Sequence, residues 1–244
     1  MIDFISRARR FLGKLASDNI YVESGDLLNF SMLLNRYLAD KETIEFVQIG
    51  ANDGFYVDPL HDFMINNYER ISGVVVEPMT RAFKELEETY KNYPMIEKLN
   101  AAIHNEKKKA SLYQIDPERL HELPEFYKGI ASFDSTHFDK TYTPKEYIIE
   151  EEVTCHTLDE VLEKYSIEKL NLLQIDAEGY DAEIIKGIDF DKVSPGILRF
   201  EHGLSQGIMS TNVFMDIVHR LNSAGYQVVC ERYDAVAFRI DDFV

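Results

Sequence analysis

Four short apolar runs, each broken off by a turn-forming or charged residue, constrain this chain more than any other feature. Ile44–Ile49 stops at Gly50, and Gly73-Val74-Val75-Val76 stops at Glu77-Pro78. Asn171-Leu172-Leu173-Gln174-Ile175 stops at Asp176, and Gly196-Ile197-Leu198-Arg199-Phe200 stops at Glu201-His202. A strand buried on both faces needs a near-continuous apolar run. A helix-like stretch follows each run, and that alternation predicts a doubly wound, mainly parallel α/β sheet. Residues 226–230 and 235–238, joined by a polar turn, predict a closing hairpin at the sheet edge. In an open α/β sheet ligands bind beyond the carboxyl ends of the strands. Loop 50–54, Glu77, Asp176 and Glu201-His202 should therefore meet on one rim.

With 244 residues the chain is long enough for one well-buried α/β domain. Residues 1–40 read as a helical extension and 41–244 as the main domain. Phe4, Ile5, Ala8, Phe11, Leu12 and Leu15 form one helical stripe, with Arg7, Arg9, Arg10 and Lys14 filling the other side. Such a basic helix either packs on its own domain or docks to a membrane surface or partner through residues 1–20. A second helix is expected to start at Ser24 or Asp26 and to bury Leu27, Leu28, Leu34 and Leu38. Between about 104 and 155 the alternation is lost. Pro117, Pro124 and Pro144 sit there among Tyr113, Phe126, Tyr127, Phe133, Phe138, Tyr142 and Tyr147. Disordered segments are aromatic-poor, so this insert reads as an ordered lid.

A net charge of −17 argues against nucleic acid, whose binding needs clustered cations, and against an anionic membrane as a whole-surface partner. Cys155 and Cys230 have neither metal-ligand nor redox spacing and read as buried thiols in a reducing compartment. No apolar stretch approaches the ~20 residues that span a bilayer, and the early arginines interrupt any signal-peptide core. The expectation is a cytoplasmic protein, peripheral at a membrane if the first helix docks there. Homo-oligomerisation stays open.

The sequence Gly50-Ala51-Asn52-Asp53-Gly54 brings backbone N–H groups close to a ligand but is not the G-x-G-x-x-G fingerprint. Asp53 is a poor neighbour for a pyrophosphate and suits a ligand bearing an amine or another cation. Glu77 follows at a spacing that lets a carboxylate accept hydrogen bonds from ribose hydroxyls. The pair predicts a nucleoside-containing cofactor without phosphates in the loop. Asp176 and Glu201-His202 end neighbouring strands and could assemble an acidic pocket or a divalent-metal site. Glu178 and Asp181 have a second reading, as carboxylates stabilised at a helix N-terminus. With no H-x-H or H-E-x-x-H spacing, a metal is not expected.

Phe46 to Gly54, Val75-Val76-Glu77-Pro78 and the D-x-E-G-x-D stretch from Asp176 to Asp181 together resemble the FkbM-type family of class I S-adenosylmethionine-dependent methyltransferases. The resemblance covers residues 44–240. It implies a Rossmann-like sheet of seven strands with the last antiparallel, helices on both faces, and S-adenosylmethionine as cofactor with S-adenosylhomocysteine as product. It also implies roles for matched positions. Gly50, Asn52, Asp53 and Gly54 would hold the methionine part, with Asp53 near the ammonium or sulfonium. Glu77 would take the ribose, Ala101 and Ala102 the adenine, and Asp176 would lie beside the reactive methyl. Gln48 and Pro78 would join the cofactor site. Aligning the reactants is the main task in such a displacement, and a hydroxyl acceptor also needs a base. Asp176, Glu178, Glu201 and His202 are the candidates. Ser132, Phe133 and His137 lie in a stretch that resembles the family's acceptor- or cofactor-contacting segment. His104, His121, His156 and His219 are given no role. The implied reaction is O-methylation of a hydroxyl on a sugar, glycan or related small molecule. N- or carboxyl-methylation, and a catalytically silent cofactor-binding subunit, stay open.

Overall fold

The computed structural model describes residues 29–139 and 143–239. The basic first helix, Ser24, Asp26, Leu27, Leu28 and Tyr142 fall outside the described residues. In chain order the strands are β1 (Ile44–Ile49), β2 (Ile71–Val76), β3 (Ile96–Leu99), β4 (Ala102–Ile103), β5 (Lys109–Ile115) and β6 (Ala131–Ser132). They continue with β7 (Ile148–His156), β8 (Leu170–Ile175), β9 (Ile197–Glu201), β10 (Gln227–Cys230) and β11 (Asp234–Phe238). The helices are α1 (Phe30–Leu38), α2 (His61–Asn66), α3 (Thr80–Thr89), α4 (Leu158–Lys164), α5 (Asp181–Gly187) and α6 (Thr211–Ser223).

Seven strands form the expected Rossmann-like sheet in the order β10-β11-β9-β8-β1-β2-β3. Pairings from β9 through β3 are parallel, whereas β11 runs antiparallel to both β9 and β10. The four apolar runs are β1, β2, β8 and β9, and every residue of β8 is buried. Alternate side chains point to opposite faces. Val47, Ile49, Leu173 and Leu198 meet α4, α5 and α6 on one side. On the other, Ile44, Phe46, Leu172 and Val236 meet α1, α2 and α3. Burial of each such side chain is worth about 1.5–3 kcal/mol, so both helical layers are held by the sheet itself.

α1 starts later than the expected Ser24 or Asp26. Its cap is Asn29, whose Oδ1 accepts from Met32 N–H (2.9 Å). Leu34 and Leu38 are buried as anticipated, together with Phe30 and Leu33. They share an apolar cluster with Ile44 and Phe46, and the Arg70 guanidinium donates to the carbonyls of Leu38 (2.9 Å) and Lys41 (2.6 Å). Residues 30–38 thus pack against one face of the sheet.

The described part of the stretch 104–155 folds, with β4 just before it, into a second, four-stranded sheet, β4-β7-β5-β6, punctuated by short 3₁₀ turns. Its β5–β7 ribbon is antiparallel. One face of β7 is exposed and acidic (Glu150, Glu152), so its apolar residues never form the continuous run that marks a strand buried on both sides. No helix among the described residues is long and apolar enough to cross a membrane.

Candidate functional site

Where β1, β2 and β8 end, the chain opens into a cavity of ≈ 260 Å³. Gly50 and Asn52 from the β1 loop, Glu77 and Pro78 from the end of β2, and Asp176 and Glu178 from the end of β8 all line it. Ala101 and Ala102 close one side, and Phe133 reaches in from the small sheet. Parallel register places these ends level: Ile49 pairs with Val76 on one side and with Ile175 on the other.

The β1 loop leaves its strand through left-handed backbone at Gly50 (φ 74°), Asn52 (φ 48°) and Gly54 (φ 69°). The N–H groups of Gly50 and Ala51 both donate to the Val76 carbonyl (2.9 and 3.1 Å), which pins the loop against β2. Glu77 is fully buried and accepts from Asn52 N–H (2.8 Å) and Met79 N–H (2.8 Å). Burial pushes its carboxyl up to about 7, against those two hydrogen bonds. Asn100 donates to the carbonyls of Glu77 (2.9 Å) and Pro78 (3.1 Å), fixing the turn that leads to Ala101.

At the end of β8, Asp176 donates its N–H to the Ile49 carbonyl (3.0 Å). Burial, then the charges of Glu178, Asp181 and Asp234, raise its carboxyl well above the usual range, and Arg199 opposes them. Glu178 adopts left-handed backbone (φ 47°) and Gly179 follows at φ 98°. A non-glycine residue held there marks a local strain that its surroundings must support. Here the support is visible. Ser132 Oγ donates to the Glu178 carbonyl (3.0 Å), and the buried His137 sets Nε2 3.3 Å from Glu178 Oε2. His137 and Ser132 are not in the cavity lining; they act behind Glu178.

Four anticipated site residues stand elsewhere. Asp53 does not line the cavity: its carboxylate accepts from the N–H groups of Phe55 (2.9 Å) and Tyr56 (2.8 Å) and closes its own turn. Gly54 packs under Leu86 and Tyr90, and its carbonyl meets His61 Nδ1 (2.7 Å) and Tyr90 Oη (3.1 Å). His202 is buried, with Nδ1 accepting from Leu204 N–H (3.1 Å) and Nε2 facing the Glu231 carbonyl (3.3 Å). Both ring nitrogens are thus committed to backbone, and burial lowers the ring's basicity. Glu201 lies outside the lining; burial and the neighbouring acids push its carboxyl up to about 10. Asp181, the second reading of the D-x-E-G-x-D stretch, is fully buried and accepts from Ala177 N–H (3.1 Å) and Glu201 N–H (3.0 Å). It locks the β8 loop to β9 and is pushed up to about 7 by burial. Among the described residues no group of three or more His, Cys, Asp or Glu is arranged to hold a metal ion.

Asp58 and Gln174 line the cavity without having been anticipated. Gln174 sits between Gln48 and Arg199 in register, and Arg199 Nη1 donates to its Oε1 (3.3 Å). Asp58 accepts from Gln48 Nε2 (3.1 Å) and Leu60 N–H (2.7 Å). Gln48 Oε1 and Asp58 Oδ2 are buried acceptors without a partner. A close-backbone cradle at Gly50, a carboxylate at the end of β2 and spare acceptors in the wall fit a nucleoside that carries a cation and donates hydrogen bonds.

No curated protein matches the chain in sequence. Among solved structures, a precorrin-6y C5,15-methyltransferase from Geobacter metallireducens is similar at 11% identity, covering 91% of this chain and 95% of that one with a TM-score of 0.41. The N-methyltransferase NodS from Bradyrhizobium japonicum is similar at 11% identity, covering 85% and 90% with a TM-score of 0.39. A fibrillarin/Nop5p complex matches at 14% identity, covering 90% of both chains with a TM-score of 0.41. The model of the methyltransferase FkbM domain matches residues 48–228, from the first cavity residue of β1 into β10. That span is most of the molecule, and the chain belongs to the FkbM family of S-adenosylmethionine-dependent methyltransferases.

Proposed function

We propose that the chain is an S-adenosylmethionine-dependent O-methyltransferase acting on a hydroxyl of a sugar, glycan or related small molecule. Gln48, Gly50, Asn52, Glu77, Pro78, Ala101 and Ala102 hold the cofactor, and the wall at Asp176 and Glu178 faces the acceptor. When bound, S-adenosylmethionine supplies an electrophilic methyl on a cationic sulfur. A hydroxyl oxygen that attacks such a carbon must shed its proton. Glu178 takes that proton, and His137 holds the carboxylate in place from behind. Asp176, whose carboxyl burial and neighbouring acids favour in its neutral form, gains from a nearby cation the stabilisation its charged form lacks.

The observation that supports this reading is the Glu178–His137 contact of 3.3 Å on the wall of the same cavity that Gly50 and Glu77 line. Its test is incubation with methyl-labelled cofactor and fractionated sugar nucleotides, lipid-linked glycans and polysaccharide from the host. Label recovered as an alkali-stable ether supports the reading. Label recovered on nitrogen or as a base-labile ester overturns it, and so does cofactor binding without turnover on any fraction.

A further inference from the structure

Two buried acceptors in the cavity wall lack donors. Gln48 is 2% exposed, and its Oε1 finds no partner although its Nε2 donates to Asp58 Oδ1 (3.1 Å). The other oxygen of that same carboxylate, Oδ2, is also buried without a partner. Both residues line the cavity, one from the end of β1 and one from the loop before α2. Leaving a buried acceptor unpaired costs about 1–3 kcal/mol, so two on linked residues of the cavity wall mark a place where a donor belongs. Neighbouring groups supply little. Tyr90 Oη has one proton, for which the Gly54 carbonyl (3.1 Å) and the Asp58 carboxylate compete, and His61 Nδ1 faces that carbonyl too (2.7 Å). Resting on the cofactor reading above, we infer that Asp58, with Gln48, forms the seat of the cofactor's α-ammonium group, the place the sequence assigned to Asp53.

The chemistry fits the occupant. An ammonium has three donors and no acceptor, which matches two acceptors with nothing to give. Its charge also returns to Asp58 the stabilisation that burial removes. A hydroxyl would satisfy one oxygen and a neutral amide two, but either would leave the carboxylate's charge uncompensated. Gln48 carries no charge, so the ionic part of the contact falls to Asp58 alone.

The test separates the ammonium from the nucleoside by calorimetric titration with three ligands: S-adenosylhomocysteine, its deamino analogue and 5′-methylthioadenosine. The unaltered chain should bind the homocysteine compound about tenfold or more tightly than the deamino analogue, the size of a charged hydrogen bond. Asp58→Asn keeps an oxygen for Leu60 N–H and Gln48 Nε2 and should erase most of that difference while binding methylthioadenosine as before. Asp53→Asn should leave all three affinities unchanged. Equal affinity for the amino and deamino compounds in the unaltered chain overturns the inference without touching the nucleoside pocket. So does an Asp58→Asn chain that loses methylthioadenosine and S-adenosylhomocysteine alike. If the unaltered chain binds none of the three, the cofactor reading fails and this inference fails with it.

Discussion

The carbonyl oxygen of Asp176 lies 1.7 Å from the point that a Cβ on Gly50 would occupy. Backbone at the end of β8 therefore presses into the β1 loop at a position where a side chain has been given up. Gly50 also sits at φ 74°, where a residue with a side chain is strained.

Gly50→Ala must push the Asp176 peptide out of place or unwind the loop. Forced backbone shifts of this kind cost roughly 2–4 kcal/mol. Both a lower melting temperature and a loss of S-adenosylhomocysteine binding are expected, by thermal denaturation and calorimetry. An alanine variant that melts and binds like the parent would mean that the contact is not maintained in solution.

Glu77 has two tasks that its substitution should reveal together. Its oxygens accept from Asn52 N–H and Met79 N–H, so it fastens the β1 loop to the end of β2 before any ligand arrives. Glu77→Gln offers one acceptor and one donor to two N–H groups, leaving at least one unsatisfied at about 1–3 kcal/mol. Thermal denaturation without ligand should show that loss, and nucleoside affinity should fall as well. Weakened binding with unchanged melting would assign Glu77 to the ligand alone.

What could be read along the chain follows from what each feature depends on. The strands β1, β2, β8 and β9 were legible because burial on both faces leaves an uninterrupted apolar run. β5 and β7 were not, since a ribbon with one wet face mixes Glu150 and Glu152 among its apolar residues. Gly50, Glu77 and Asp176 were legible as strand-end residues, because register alone brings those ends together. Whether a polar side chain at such an end faces the cavity depends on neighbours distant in sequence. His202 is tied to the carbonyl of Glu231, 29 residues away, and Glu178 to His137, 41 residues away. Asp53 and Asp58 are acids of one loop, and the fold of the loop alone decides which one caps its own turn and which one enters the wall.

Acid should stabilise the ligand-free protein. Glu77 and Asp181 titrate at about 7 and Glu201 at about 10 in the fold, against ordinary values of 4.5, 3.8 and 4.5. The folded chain thus holds protons that the unfolded chain has already released. Stability is fullest below the ordinary carboxylate range and falls as pH rises through 7, with the Glu201 part lost progressively up to 10. The melting temperature should be several degrees higher near pH 5.5 than near pH 8.5, roughly the shift that a few kcal/mol produces in a chain this size. Glu201→Gln should raise the melting temperature at the alkaline pH and leave the acidic one nearly unchanged, because its Oε2 has no partner to lose. A melting temperature that climbs with pH would contradict the arrangement.

Glu178 and His137 should separate in a kinetic comparison. Glu178→Gln removes the proton acceptor and is expected to lower kcat by ~10²-fold or more with little change in the cofactor's KM. His137 is buried beside Phe138, so its replacement must also fill space. His137→Phe fills the site without a nitrogen to face the carboxylate, and the 3.3 Å contact is lost while the packing stays. A carboxylate no longer held in orientation should lower kcat about tenfold, with the cofactor's KM and the melting temperature near the parent's. His137→Gln, whose amide nitrogen can still face Glu178, should recover part of that loss. If His137→Phe turns over like the parent, His137 serves packing alone and Glu178 works unaided.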